Sequence, residues 1–163
     1  MIERTLVLIK PDGVMRGLIG EIIKRFEQRG LKVVALKMKQ ADKDFAQKHY
    51  TEDLAIRRGA HIRELSINYI ITGPVVAMVI EGVDAIDNVR NTVGSTEPKS
   101  ALPGTIRGDF SHVSYSHADE RKKAIANLIH ASSDAKDAKA EIDLWFSSDE
   151  IYSYDINNHK HVF

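Results

Sequence analysis

Thr5-Leu6-Val7-Leu8-Ile9 is β-branched and apolar on both faces, and it stops abruptly at Lys10-Pro11-Asp12-Gly13. A run of this kind reads as a buried strand ending in a turn, which fixes Lys10 at a strand end. A second apolar run, Val75 to Ile80, follows the break at Gly73-Pro74 and reads as another strand. Both are far below the roughly 18 residues needed to span a bilayer. The N-terminus, Met1-Ile2-Glu3-Arg4, is acidic where a leader would be basic, and the apolar run after it is too short for a secretory segment. The expectation is a soluble, cytoplasmic protein with no membrane partner.

Between and beyond these strands the pattern changes period. From Val14, the positions Val14, Leu18, Ile22 and Ile19, Ile23, Phe26 fall at helical spacing, with Asp12 as N-cap and Gly30 as stop. Leu31 to Lys39 reads as a strand in which Val34, Leu36 and Met38 alternate with Lys37 and Lys39. Residues 43–72 suit two short helices divided at Gly59, and Asp84 to Val93 suits another. Gly94 to Phe110 holds three Gly and two Pro, and reads as an ordered functional loop. A short charged helix over Ala118 to Ala126, a strand over Asn127-Leu128-Ile129 and a helix over Ser133 to Phe146 complete the order. That last helix is expected to bury Ala135, Ala138, Ile142 and Trp145. The succession gives an α+β class of α/β protein with the ferredoxin-like βαββαβ arrangement, a four-stranded antiparallel sheet with surrounding helices. No repeat or linker divides the chain, so its 163 residues are expected to form a single domain. Fold of this kind alone predicts no function.

Charge narrows the function classes. The 23 Lys+Arg residues balance 23 Asp+Glu residues, so no global field favours nucleic acid, and 7% aromatic residues with no interleaved aromatic string argue against RNA. Phosphate binding would need a local cluster of cations. Arg90, Lys99 and Arg107, in or beside the Gly-rich loop and with Thr96 among them, supply one, although a solvated charged loop fits the same spacing. There is no Gly-rich P-loop and no dinucleotide fingerprint, so a nucleotide would be held by side chains.

Five of the seven histidines follow residue 110. His130 is set apart by ending an apolar strand and preceding Ala131-Ser132-Ser133, a candidate helix N-cap offering backbone N–H groups to an anion. From the residues alone a packed or hydrogen-bonded histidine remains the stronger reading. His159 and His161 near the C-terminus could coordinate a metal together, but no third ligand is evident and a solvated tail is the plainer reading.

Asn127-Leu128-Ile129-His130-Ala131-Ser132 closely resembles the active-site signature of nucleoside diphosphate kinases. Ile9-Lys10-Pro11-Asp12-Gly13-Val14, Arg16-Gly17-Leu18, Gly73-Pro74-Val75-Val76-Ala77-Met78 and Pro103-Gly104-Thr105-Ile106-Arg107-Gly108-Asp109-Phe110 resemble the same family in the same order. The resemblance runs from about Arg4 to Phe146. It implies that His130 is a nucleophile phosphorylated on one ring nitrogen, with Glu141 holding the other. It implies further that Lys10 and Asn127 bind near the ribose 3′-hydroxyl, that Lys10 assists catalysis, that Arg90, Thr96 and Arg107 hold phosphates, and that Tyr50 lines the site. Mg²⁺ is expected to bridge the nucleotide phosphates rather than sit in a protein cage. The implied partners are nucleoside triphosphates and diphosphates and further copies of the chain, in a hexamer.

The chain also departs from the family. Ser133 and Lys136 stand where the family usually has an Asp and a Glu, and the segment between Asp109 and Asn127 is longer than in many members. The usual aromatic pair between Tyr50 and Gly73 is missing, and counting back from Gly73-Pro74 puts Ile62 where a phenylalanine usually stacks on the base. The competing expectations are a catalytically inactive ferredoxin-like nucleotide-binding module and a protein histidine phosphotransfer partner.

Overall fold

The computed structural model describes residues 1–157. In chain order its elements are β1 (Ile2–Ile9), α1 (Pro11–Met15), α2 (Ile19–Gln28), β2 (Lys32–Lys39), α3 (Lys43–His49), α4 (Glu52–Arg58) and α5 (Ala60–Ile70). Then come β3 (Val75–Val83), α6 (Ala85–Val93), α7 (Ile106–Phe110), α8 (Tyr115–Glu120), β4 (Ile129–Ala131) and α9 (Ala135–Trp145), with 3₁₀ turns at Pro98–Ser100 and Ser148–Glu150. The four strands form one sheet in the order β2-β3-β1-β4, with every neighbouring pair antiparallel. This is the ferredoxin-like arrangement.

The two central strands explain why their sequences are apolar throughout. Leu6 and Leu8 of β1, with Val75, Ala77 and Val79 of β3, pack on one face against Ile67, Ile70, Ile142 and Trp145. Val7 and Ile9, with Val76, Met78 and Ile80, pack on the other against Ile22, Phe26, Val89 and Val93. Helices therefore cover both sides of the sheet, and a period of two along each strand feeds two separate cores.

Several local expectations need correction. Asp12 lies inside α1; Lys10 is the N-cap, Pro11 takes the first helical position, and the Asp12 carboxylate instead accepts the Leu128 N–H at 3.0 Å. Gly17, at φ 69°, breaks the helical run into α1 and α2. In β2 an irregularity between Val33 and Ala35 leaves Leu36 and Met38 53% and 59% exposed, while Lys37 turns to Glu150 and Lys39 lies over the Phe45 ring. The charged helix begins at Tyr115 rather than Ala118 and ends at Glu120, with Arg121 as its C-cap and Lys122 at a left-handed φ of 51°. Leu128, at φ 69°, turns the chain so that pairing starts at Ile129, and His130 sits at the middle of β4, opposite Leu8, rather than at its end. The N-cap of α9 is Asp134, whose side chain accepts from the Asp137 N–H, and Ala135 is exposed whereas Ala138, Ile142 and Trp145 are buried. No described helix is long and apolar enough to cross a membrane.

Candidate active site

Pairing with β1 fixes the backbone of His130, and its ring, held on the face toward α9, meets Glu141 one side of a cleft of about 1120 Å³. The ring Nε2 lies 2.9 Å from both Glu141 oxygens. Burial by itself would raise the Glu141 carboxyl, but the His130 charge and hydrogen bond, helped by His49 and Ser132, hold it down at about 2. Glu141 is therefore a carboxylate that can only accept, so Nε2 is the donor in this pair, and in the neutral imidazole Nδ1 is the nitrogen that keeps its lone pair. Nδ1 has no hydrogen-bond partner among the described residues, and the side chain is 22% exposed in the cleft.

Asn127 ties together three residues expected from the sequence. Its Oδ1 accepts from Lys10 Nζ at 2.8 Å, its Nδ2 donates to the Thr96 carbonyl at 2.8 Å, and its own carbonyl accepts from Arg107 Nε at 3.2 Å. Arg107 is buried and also donates to the carbonyls of Gly94 at 2.8 Å and Ile129 at 2.6 Å. Three of its five N–H groups thus brace the loop and β4, leaving two for an anion. Arg90, at the end of α6, is exposed and has no ion-pair partner among the described residues. Burial, and then the Arg107 charge, lower the Lys10 ammonium to about 8. Tyr50, following α3, lines the same cleft, and burial pushes its phenol well above the usual range. Ile62, half-buried on α5, lies in the cleft wall as well. All nine residues singled out from the sequence converge here.

Sequence reasoning missed three contributors. Ser132 is fully buried; its hydroxyl donates to Glu141 Oε2 at 2.6 Å and accepts from the Leu6 N–H at 3.2 Å, so it steadies the carboxylate. His49 packs edge-on against the His130 ring with centroids 4.8 Å apart, and accepts from Trp145 Nε1 at 3.3 Å. Its place next to Tyr50 at a helix end was the available signal. Tyr115, from the long segment after Phe110, forms part of the cleft's outer wall.

Among the described residues, His49, His130 and Glu141 bring ligand atoms within 4.8 Å of one another. They form a hydrogen-bond array instead of a metal centre: Trp145 occupies His49 Nδ1, and Glu141 is committed to His130. His159 and His161 lie outside the described residues.

A histidine and two arginines lining one cleft of this ferredoxin-like fold suit the chemistry of a phosphotransferase. The chain belongs to the nucleoside diphosphate kinase family, whose model matches residues 3–151, and is an enzyme that passes the terminal phosphoryl group of a nucleoside triphosphate to a nucleoside diphosphate. It is 46% identical over 155 residues to the nucleoside diphosphate kinase of Borreliella burgdorferi, covering 94% of this chain and 93% of that protein. It is 52% identical over 152 residues to that of Pyrococcus abyssi, covering 93% and 89%. A solved structure of the Borrelia burgdorferi enzyme, a transition-state mimic with bound vanadate and ADP, superposes with a TM-score of 0.97 at 44% identity, covering 99% of this chain and 96% of that one. The Halobacterium salinarum enzyme in complex with CDP superposes with a TM-score of 0.85 at 39% identity, over 100% and 99%.

Proposed function

We propose that His130 carries the phosphoryl group between the two nucleotides, in a ping-pong exchange performed by the whole chain as one domain. The observation that carries this reading is the Glu141 carboxylate on Nε2 at 2.9 Å, because it directs the Nδ1 lone pair to the cleft. Nδ1 attacks the γ-phosphorus; the N–P bond forms as the bond to the β–γ bridging oxygen breaks, and the nucleoside diphosphate leaves. The ring then gains positive charge at Nε2–H, against the Glu141 carboxylate, which stabilises that charge. A second nucleoside diphosphate attacks phosphorus with a β-phosphate oxygen, and the N–P bond breaks to restore the free histidine. A phosphoramidate keeps a high transfer potential, whereas a serine ester at Ser132 or Ser133 would trap the group.

Arg90, the free N–H groups of Arg107 and Thr96 hold the phosphates in this scheme, and Lys10 with Asn127 meets the ribose 3′-hydroxyl and the transferring group. Tyr50 lines the nucleotide site and Ile62 covers part of the base. Mg²⁺ prefers oxygen ligands, and Glu141, the carboxylate hydrogen-bonded to His130, is already engaged, so a metal held by nucleotide phosphates and water suits the residues around His130. Bound there, it neutralises phosphate charge. Exposed Leu36 and Met38 on the edge strand, and Leu102 in the 94–110 loop at 73% exposure, support a homo-oligomer, with a hexamer as the expected form. A zero net charge supports the absence of a nucleic-acid partner, and the cytoplasm is the proposed compartment. Initial-rate kinetics test the scheme: parallel lines in double-reciprocal plots are expected, and intersecting lines would indicate a ternary complex without a covalent carrier.

A further inference from the structure

We infer that Asp12 is a positioning residue for phosphoryl transfer: from behind the cleft it holds a strained turn at Leu128, and through that turn the arrangement of Lys10, Asn127 and Arg107. The inference rests on the reading above, in which those three residues meet the nucleotide. Asp12 itself is not among the residues that line the cleft. Leu128 combines a φ of 69° with a hydrogen bond from the Ile129 N–H to the Asn127 carbonyl at 2.8 Å. A bond between residues two apart across a positive φ is the rare, strained form of γ-turn. A residue other than glycine keeps such a turn only where its surroundings impose it. Leu128 is fully buried in the core, so glycine at this position would gain backbone freedom only by leaving a cavity.

Three residues from one short stretch impose the turn. The Leu128 N–H donates to Asp12 Oδ2 at 3.0 Å, and the Leu128 carbonyl accepts from the Lys10 N–H at 2.8 Å. Gly13 completes the seat, because a Cβ there would lie 3.0 Å from the Leu128 carbonyl oxygen and 2.7 Å from Ile9 Cγ2. The site is built on this turn. Asn127 reaches Lys10 Nζ and the Thr96 carbonyl with its side chain, while the carbonyls on either side of Leu128, those of Asn127 and Ile129, both accept from Arg107. Relaxing Leu128 to an ordinary φ rotates those two carbonyls apart and takes a partner from Arg107. Asp12 also brings charge. Its carboxylate faces Lys10, Tyr50, Tyr69 and Arg107, and it favours the Lys10 ammonium against burial and the Arg107 charge. Lys10 is faced in addition by Asn127 and by His49, which burial keeps neutral. Asp12 Oδ1 is buried with no hydrogen-bond partner among the described residues, and so is Tyr69 Oη, so an uncharged amide fits the same space with the phenol oxygen beside it.

Asp12→Ala and Asp12→Asn, assayed in the whole protein for exchange between ATP and GDP with Mg²⁺ across a range of pH, separate the acceptor from the charge. Asp12→Ala removes both, and kcat is expected to fall about a hundredfold, the cost of misplacing catalytic groups by about an ångström. Asp12→Asn keeps an acceptor for the Leu128 N–H, so most of that loss should be recovered at neutral pH. Its kcat/KM should nevertheless begin to fall at a lower pH than the parent's, because the charge that favours the Lys10 ammonium is gone. A purely structural aspartate would lower Tm without moving that alkaline limb. Far-UV spectra and thermal melts identify the variants that fold. A parental kcat in folded Asp12→Ala overturns the proposal, as does an Asp12→Asn as impaired as Asp12→Ala. If Asp12→Ala does not fold, Asp12→Asn decides alone, and an alkaline limb at the parent's pH overturns the proposal. A wrong assignment of His130 shows instead as turnover in His130→Ala, so the two failures are distinct.

Discussion

Glu141 presents both carboxylate oxygens to Nε2 of His130 at 2.9 Å, and so decides which ring nitrogen faces the cleft. Glu141→Gln preserves the shape and removes the charge that balances the ring once Nδ1 is phosphorylated. A charge-assisted bond of this kind contributes about 1.5–3 kcal/mol, so kcat is expected to fall about tenfold to hundredfold, with the far-UV spectrum unchanged. A kcat within twofold of the parent would show that the carboxylate does not act on the ring.

Lys10 sets an alkaline limit. Burial and the Arg107 charge lower its ammonium from 10.5 to about 8, so in the free protein the charged form is lost as pH rises through about 8. The charged form is the one that meets phosphate, so kcat/KM should fall above that pH. Bound phosphates favour the ammonium, so kcat should hold to a higher pH. Parallel pH profiles of the two parameters check this. A kcat/KM flat to about pH 10 would remove Lys10 from binding.

Gly94 is the backbone joint at the start of the 94–110 loop. Its φ is 87°, a Cβ there would lie 2.4 Å from Thr105 Oγ1, and its carbonyl accepts from Arg107 at 2.8 Å. Gly94→Ala should cost about 1–3 kcal/mol of stability through left-handed strain, with a further loss from the clash, and should weaken nucleotide binding by shifting Arg107. Gly17→Ala is the control: φ is 69° but nothing lies within 4 Å, so only the left-handed cost of about 1–2 kcal/mol is expected, with nucleotide affinity unchanged. Denaturant melts and ADP titration distinguish the two.

Chelation tests the metal. If Mg²⁺ is held on the nucleotide as proposed, excess EDTA should stop exchange at once, and added Mg²⁺ should restore it without a refolding lag. Full activity in EDTA would exclude a metal held on the nucleotide.

The central strands were legible because β1 and β3 are covered on both faces, and uninterrupted apolar runs reveal that burial directly. What failed was set by backbone turns with weak sequence signals. Lys122 and Leu128 adopt positive φ although neither is glycine, which shortens α8 and delays β4, and the irregularity at Val33/Ala35 turns Leu36 and Met38 outward. The site residues were legible by family likeness more than by pattern. Asn127 shows why: its three partners, at positions 10, 96 and 107, come together only through the fold. Tyr115 was missed because it lies between Asp109 and Asn127, a stretch that none of the family-like motifs covers, so register counting has nothing to count against.

The central claim is tested most directly by incubating the protein with γ-³²P-labelled ATP and Mg²⁺, removing free nucleotide, and adding GDP. The label should appear on His130, be lost in acid and stable in alkali, transfer to GDP as GTP, and be absent from His130→Ala, which should remain folded but inactive. An acid-stable label on Ser132 or Ser133, or appreciable exchange by His130→Ala, would contradict the account.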